Sequence, residues 1–158
     1  MDWTHLLFSF RGRINRGKYW LAILIYTVAW VAFVGTSIAM IGSNTDDLFK
    51  LAGAGLLIWL AGLVLLLVGT WSGFATGIKR LHDRDKSGWW ILLFWLGPSV
   101  LGGIQATTNN PAVSLTMGFG SAALAIWGLI ELGVLRGSAG PNLYGRDPLT
   151  AHEPAPQR

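Results

Sequence analysis

The sequence lacks cysteine and has little charge. None of its 158 residues is a cysteine, which excludes disulfides, thiolate nucleophiles, iron–sulfur ligands and thiolate zinc sites. Charged residues make up 13% of the chain and hydrophobic residues 52%, so the charged share is about half of that in soluble domains. All three histidines lie outside the long apolar stretches, which excludes haem held by paired histidines within a bilayer. We therefore expect no metal and no cofactor.

Four long apolar stretches dominate the chain, at residues 19–42, 51–78, 88–104 and 112–135. A hydrocarbon core of about 30 Å needs about 20 helical residues, so the first, second and fourth stretches are long enough to span it. The third has about 17 residues, the lower limit for a span, and Pro98 interrupts it. These lengths predict an all-α membrane protein, a bundle of four transmembrane helices. Residues 1–149 would form a single integral membrane domain and residues 150–158 a disordered tail.

Lysine and arginine lie almost entirely on one side of these stretches. Of the 12 such residues, all but Lys50 precede the first stretch, separate the second from the third, or follow the fourth. By the positive-inside rule both termini and the middle loop are cytoplasmic, which predicts a multi-pass protein of the bacterial inner membrane. The sequence pI near 9.9 does not indicate nucleic-acid binding, because cations beside membrane spans meet anionic headgroups of the phospholipid bilayer.

Glycines recur at helical spacing within the second stretch. Gly69, Gly73 and Gly77 follow one another every four residues, a spacing that lets two membrane helices approach closely. We expect this row to pack inside the bundle, and a homodimer interface is the alternative.

The residues before the first stretch contain a second apolar pattern. Residues 2–10 place apolar side chains at helical spacing, which fits either a short helix in the membrane interface or an irregular segment packed beneath the bundle. Asn15 is expected to cap a helix that begins near Arg16 and continues into the first span.

Three polar segments are more specific than topology requires. Segment 1 is residues 8–20, FSFRGRINRGKYW; segment 2 is residues 79–90, KRLHDRDKSGWW; segment 3 is residues 140–148, GPNLYGRDP. In these motifs the chain resembles the small bacterial inner-membrane proteins of domain-of-unknown-function family 805, the YhaH-like proteins. Their pattern is GR-x-x-R-x-x-[FY]-W, then R-L-H-D-x-x-x-SGWW, then G-x-N-x-[YF]-G-x-D-P. The resemblance covers nearly the whole chain; it implies class and topology, and no activity.

The arginines of segment 1 are candidates for an anion or lipid-headgroup site. Arg11, Arg13 and Arg16 surround Gly12. Guanidinium groups match phosphate oxygens, and glycine lets backbone N–H groups approach a ligand. The alternative is a topology anchor that rests on phospholipid. A topology anchor needs only positive charge, however, whereas phenylalanine and glycine residues alternate with the arginines of this segment.

Segments 2 and 3 predict a cytoplasmic polar cluster. Asp83 and Asp85 are expected to pair with arginines of segments 1 and 2, and His82 is expected to bond to the backbone. A metal or acid–base site is the alternative, but neighbouring side chains on a helix point about 100° apart, and no second histidine is close in sequence. Ser87 is expected to cap the third span. The complete predicted cluster is Arg80, His82, Asp83, Asp85, Ser87, Asn142, Tyr144 and Asp147.

Glu131 is the only acidic or basic residue within an apolar stretch, which makes this intramembrane ionisable group a functional candidate. It precedes Arg136 by five residues, so a helix would place it only about 7 Å inside the membrane. An interfacial salt bridge to a cytoplasmic lysine or arginine and a proton or substrate role are both compatible with that depth.

These observations favour a non-enzymatic inner-membrane protein whose cytoplasmic polar face binds a partner protein or an anionic lipid. A small transporter or channel subunit is one alternative, supported only by Pro98 and the glycines of the second stretch. A membrane enzyme acting on a lipid phosphate is another, with the arginines as clamp, His82 as acid–base and Asp83 as orienter. We assign no catalytic residue.

Overall fold

The described part of the chain is helical. A computed structural model describes residues 2–42 and 48–150. Its elements are α1 (Trp3–Phe8), α2 (Arg16–Gly42), α3 (Leu48–Asp83), α4 (Trp90–Thr107) and α5 (Pro111–Leu129), which continues into a π-helical turn, the π-turn, at Ile130–Val134. The long helices are apolar enough for four membrane crossings. This confirms the predicted all-α, four-span fold. The tail predicted to be disordered, apart from Thr150, lies outside the described residues.

Side-chain caps explain where the N-terminal helices begin. The Asn15 Oδ1 accepts a hydrogen bond from the Lys18 N–H at 2.9 Å, so the predicted start of α2 is confirmed. The Asp2 Oδ1 likewise accepts the His5 N–H at 3.1 Å and begins α1. The segment before the first span is therefore a helix, and its Leu6 is buried.

The start of α4 differs from the prediction. The helix begins at Trp90, and its N-cap residue Trp89 makes no side-chain capping bond. The prediction that Ser87 caps this helix is therefore wrong. Ser87 instead forms the preceding turn: its Oγ accepts the Trp89 N–H at 3.5 Å and its carbonyl accepts the Trp90 N–H at 3.3 Å.

The spans pack as two antiparallel hairpins. In the first, the Phe33 ring of α2 lies against Gly62 of α3. In the second, Phe94 of α4 lies against Gly128 of α5. Small residues thus leave room for large side chains within each hairpin, as is common where apolar burial does not drive helix association.

The glycine row of α3 contacts both neighbouring helices. A β-carbon on Gly73 would lie 3.3 Å from the Trp95 indole of α4, and one on Gly77 would overlap Ile91 of the same helix. Gly69 lies near Tyr26 of α2 instead. The row accommodates side chains within the fold, rather than the close approach of two helix backbones that we expected.

One end of the fold holds most of the buried side chains. We call it the polar end: α2 and α4 begin there, and α3 and the π-turn end there. Its apolar core consists of Leu81, Ile91, Phe94 and Leu132. Elsewhere the spans expose large apolar side chains, as expected where the surrounding solvent is lipid. The polar end therefore carries the tertiary contacts that define a candidate site.

Candidate functional site

Asp83 is the central carboxylate of the polar end, and its side chain is 2% exposed. Its Oδ1 accepts from the Arg13 Nε at 3.2 Å, and its Oδ2 accepts from the Arg80 Nη1. Both guanidinium groups are themselves buried. The Asp83 carbonyl accepts the Ser138 N–H at 2.7 Å. One residue at the end of α3 thus contacts both the N-terminal segment and the C-terminal tail.

Arg13 attaches the tail to this carboxylate. Its Nη1 donates to the Gly140 carbonyl at 2.8 Å and to the Gly145 carbonyl at 3.2 Å. Its Nη2 donates to the Ser138 carbonyl at 2.6 Å. Every nitrogen of this guanidinium donates to an acceptor. Arginine carries five N–H donors in a planar fork, whereas the ammonium of lysine has three donors on a single nitrogen and could not make the same set of bonds.

Arg80 binds the end of the π-turn. A helix leaves its last carbonyls without intrahelical partners and with partial negative charge. The Arg80 Nε donates to one of them at 2.8 Å, and its Nη2 donates to another. The Trp20 Nε1 and the Arg84 Nη1 bind two more, at 3.0 and 2.6 Å. The Arg16 Nη1 binds a further one at 3.5 Å. The carbonyls bound in this way belong to Leu132, Gly133, Val134, Leu135 and Arg136. Side chains of α2 and of segment 2 therefore cap this helix.

Glu131 lies in the π-turn, and its side chain is 4% exposed. Its Oε1 accepts from the Arg84 Nε and from the Lys86 Nζ, each at 3.0 Å. The Lys86 ammonium also lies 5.4 Å from the centre of the Trp90 ring, a cation–π contact. Of the two roles compatible with its depth, the structure gives Glu131 the salt bridge.

His82 links the three polar segments. Its Nδ1 lies 3.3 Å from the Gly12 carbonyl, and its ring stacks on Tyr144 with centroids 3.9 Å apart. The Asn142 amide donates to the His82 carbonyl at 2.8 Å. His82 and Asp83 therefore have separate partners, and their side chains do not form an acid–base pair.

Asp147 closes the loop of the tail. Its Oδ1 accepts the Leu149 N–H at 2.9 Å, and its Oδ2 accepts the Gly140 N–H at 3.1 Å. These two hydrogen bonds stabilise the carboxylate and lower the pKa of Asp147 below its usual 3.8.

Arg11 and Asp85, both predicted for the site, lie outside this network. Arg11 and Arg16 are exposed whereas Arg13 is buried, so the segment 1 arginines do not form the single anion site around Gly12 for which they were candidates. Asp85 is exposed and makes no salt bridge within the described ranges, so its predicted pairing is wrong. The reason is that α3 ends at Asp83, and Asp85 lies in the following turn with a left-handed φ of 57°.

Two residues that the sequence did not single out support the site. Lys79 is fully buried, and its Nζ donates to the carbonyls of His5 and Leu6, each at 2.6 Å, which holds α1 in place. Backbone carbonyls carry no side-chain signal, so nothing in the sequence pointed to these acceptors. Gly137 passes so close to the Asp83 carboxylate that a β-carbon there would overlap it.

At least three cavities adjoin the polar end, and two of them have linings that suit a lipid. The arginine pocket, of about 500 Å³, lies between the start of α2 and the tail, and Arg16, Arg136, Asp83 and Asp147 line it. The α3–α4 groove, of about 910 Å³, is lined mainly by apolar side chains, with His82, Ser87 and Tyr144 among its few polar ones.

The chain is similar to a known protein family and to individual proteins of Escherichia coli. A family model described as "Protein of unknown function (DUF805)" matches residues 7–146. "Uncharacterized protein YiiR" of Escherichia coli (strain K12) is 33% identical over 141 residues, covering 89% of this chain and 86% of that protein. "Inner membrane protein YhaH" of the same strain is 34% identical over 98 residues, covering 60% of this chain and 73% of that protein. No solved structure matches the chain significantly.

Proposed function

The chain belongs to the DUF805 family of proteins of unknown function, and we propose that it is a non-enzymatic protein that binds an anionic lipid headgroup at its polar end. Four apolar helices and relatives named inner membrane proteins make it a multi-pass protein of the inner membrane. We place the polar end, with both termini, on the cytoplasmic side, because the lysines and arginines concentrate there.

The observation that carries this proposal is the charge of the arginine pocket. Its two carboxylates already have donors: Asp83 binds two arginines, and Asp147 binds two backbone N–H groups. Arg16 and Arg136 are exposed, and among residues 2–42 and 48–150 neither pairs with a carboxylate. One nitrogen of Arg16, Nη1, donates to the Val134 carbonyl at 3.5 Å, and its charge has no anionic partner among these residues. The cations facing this pocket are thus the groups left to bind a ligand, and guanidinium groups favour phosphate.

The position of the pocket favours a lipid as the source of that phosphate. Arg16 begins α2, and Arg136 follows the π-turn, so both guanidinium groups stand where membrane spans end. A cation at this level adds about 1 kcal/mol to the attraction of an anionic headgroup. Two such cations on one pocket provide a site for a lipid of the cytoplasmic leaflet.

Lipid selectivity tests the pocket. The protein in detergent would be titrated with dioleoylphosphatidylglycerol or dioleoylphosphatidylethanolamine, and bound lipid counted by native mass spectrometry. We expect wild type to prefer the anionic lipid. Arg16→Gln with Arg136→Gln should reduce that preference by up to about 30-fold, from roughly 2 kcal/mol of lost attraction.

The matched control removes the same charge elsewhere on the polar end. Lys18 and Arg146 line a different cavity, so Lys18→Gln with Arg146→Gln should leave the preference nearly unchanged. An equal loss of preference in both double variants would mean that the lipid is attracted by surface charge in general. An unchanged preference in the variant that lacks Arg16 and Arg136 would refute the arginine pocket as the headgroup site.

Orientation has its own test. Reporters fused after residue 158 and inserted within residues 43–50 should report opposite sides of the membrane, with the C-terminal one cytoplasmic. The same side for both would contradict the four-span orientation proposed for the headgroup site.

A further inference from the structure

We propose that the α3–α4 groove is a second lipid site, which takes one acyl chain of a phospholipid whatever the charge of its headgroup. This inference does not depend on the arginine pocket, because the groove is a separate cavity with its own lining residues.

The length of the groove matches one leaflet. Its α3 side extends from Leu66 to His82, which lie sixteen positions apart on one continuous helix and therefore about 24 Å apart. Half of a bilayer with its headgroups measures about 20–22 Å. A groove that starts at the polar end of a span and continues for this distance reaches about the bilayer midplane.

The walls of the groove suit a hydrocarbon chain. On one side Phe10 and Trp71 meet edge to face, with ring centroids 5.1 Å apart. On the other side Trp89 and Leu92, at the start of α4, complete the lining. The volume of about 910 Å³ falls within the range of roughly 300–1,000 Å³ found for small-molecule sites. Phe10, from segment 1, thus gives the groove a wall that the two spans alone would not provide.

Polar groups occur where a headgroup would lie. His82, Ser87 and Tyr144 belong to the polar end, whereas Leu66 and Leu67 lie at the deep end of the groove. Apart from Thr70, the lining is polar at headgroup depth and apolar at acyl depth, as a phospholipid is. The Ser87 and Tyr144 hydroxyls are able to donate to phosphate oxygens. The His82 Nδ1 is already engaged by Gly12, so the ring mainly positions Tyr144 by stacking.

The lining also predicts which headgroups bind. No lysine or arginine is among the groove-lining residues that the structure describes. A phosphate held only by neutral donors does not distinguish net anionic from zwitterionic lipids. The groove should therefore retain phosphatidylethanolamine as well as phosphatidylglycerol, in contrast to the arginine pocket.

A substitution that fills the groove tests the proposal. Leu67 lines the groove and is 61% exposed, while Leu57, 58% exposed, lines a different surface of α3. Leu67→Trp should lower the affinity for dioleoylphosphatidylethanolamine at least about tenfold, measured by native mass spectrometry in detergent. Leu57→Trp adds the same side chain to lipid-exposed surface and should leave the affinity unchanged. Because both positions are exposed, both variants should melt like wild type.

The outcomes separate this site from the arginine pocket. In the variant that lacks Arg16 and Arg136, the phosphatidylethanolamine retained by the groove should stay bound while the anionic preference falls. Loss of groove binding in that variant, an unaffected Leu67→Trp, or equal losses in both tryptophan variants would overturn the acyl-chain site. Failure of the anionic preference alone would overturn only the proposed headgroup site.

Discussion

Removing the Asp83 carboxylate should destabilise the whole polar end. Asp83→Ala would leave the buried guanidinium groups of Arg13 and Arg80 without their shared anion. Removing one partner of a buried ion pair costs about 3–5 kcal/mol, because the remaining charge is left uncompensated. At about 2–4 °C per kcal/mol for a chain of this size, the melting temperature should fall by roughly 6–20 °C.

Thermal unfolding in detergent, followed by circular dichroism, would measure this change. Asp85→Ala is the control, since Asp85 carries the same charge two residues away but is exposed and without a salt bridge in the described chain. Its free energy of unfolding should stay within about 0.5 kcal/mol of wild type, so its melting temperature should change by no more than about 1–2 °C. Equal melting temperatures for the two alanine variants would refute the reasoning.

A double-mutant cycle tests whether Asp83 and Arg13 act together. Arg13→Ala alone loses the bonds that hold the tail, but leaves Asp83 paired with Arg80. In the double variant one cation and its anion leave together, so the loss should be smaller than the sum by about 0.5–3 kcal/mol. Strict additivity would mean that the two residues do not share one interaction.

Three further changes test the packing of α3 and the structure of the tail. Gly137→Ala should lower the melting temperature because the new β-carbon would overlap the Asp83 carboxylate. Gly35→Ala is the control, since there is open space around that position and its melting curve should match that of wild type. Gly73→Leu should also lower the melting temperature, because an indole ring occupies that space, and an unchanged curve would contradict the packing. Hydrogen bonds lower the pKa of Asp147, so its contribution is complete above about pH 4 and is lost as the pH falls through its folded-state pKa. Hydrogen exchange of residues 138–149 should rise in that range, and Asp147→Asn should remove the dependence.

Much of the architecture could be predicted because it follows from local physics. A hydrocarbon core fixes the length of each span, so apolar runs identified all four long helices. The Asn15 cap is equally local, because its acceptor and donor lie three residues apart. The start of α4 was missed since Ser87 is followed by a turn of its own, and a capping residue type alone does not distinguish the two.

The partners of the charged residues could not be predicted. Segment 2 offers several cations near each acid, and only the tertiary fold decides that Asp83 binds Arg13 and Arg80 while Arg84 reaches Glu131. The contacts of the π-turn could not be predicted either, because they are made through backbone carbonyl groups, which every residue carries. Lys79, too, binds carbonyls rather than an acid, and side-chain identity gives no indication of such contacts.

The capping of the π-turn by Arg80 has a consequence for how the chain matures in the membrane. Arg80 precedes the two carbonyls that it binds by 52 and 55 residues. At synthesis rates of about 5–20 residues per second, its guanidinium emerges roughly 3–11 s before those carbonyls exist. During that interval Asp83, three residues further along the chain, is available to pair with the charge, and water or lipid phosphate must take the place of the two missing carbonyls. A chain truncated before residue 132 lacks both of these acceptors, and one truncated before residue 135 lacks the second, so only a chain that extends beyond the π-turn is able to complete the polar end.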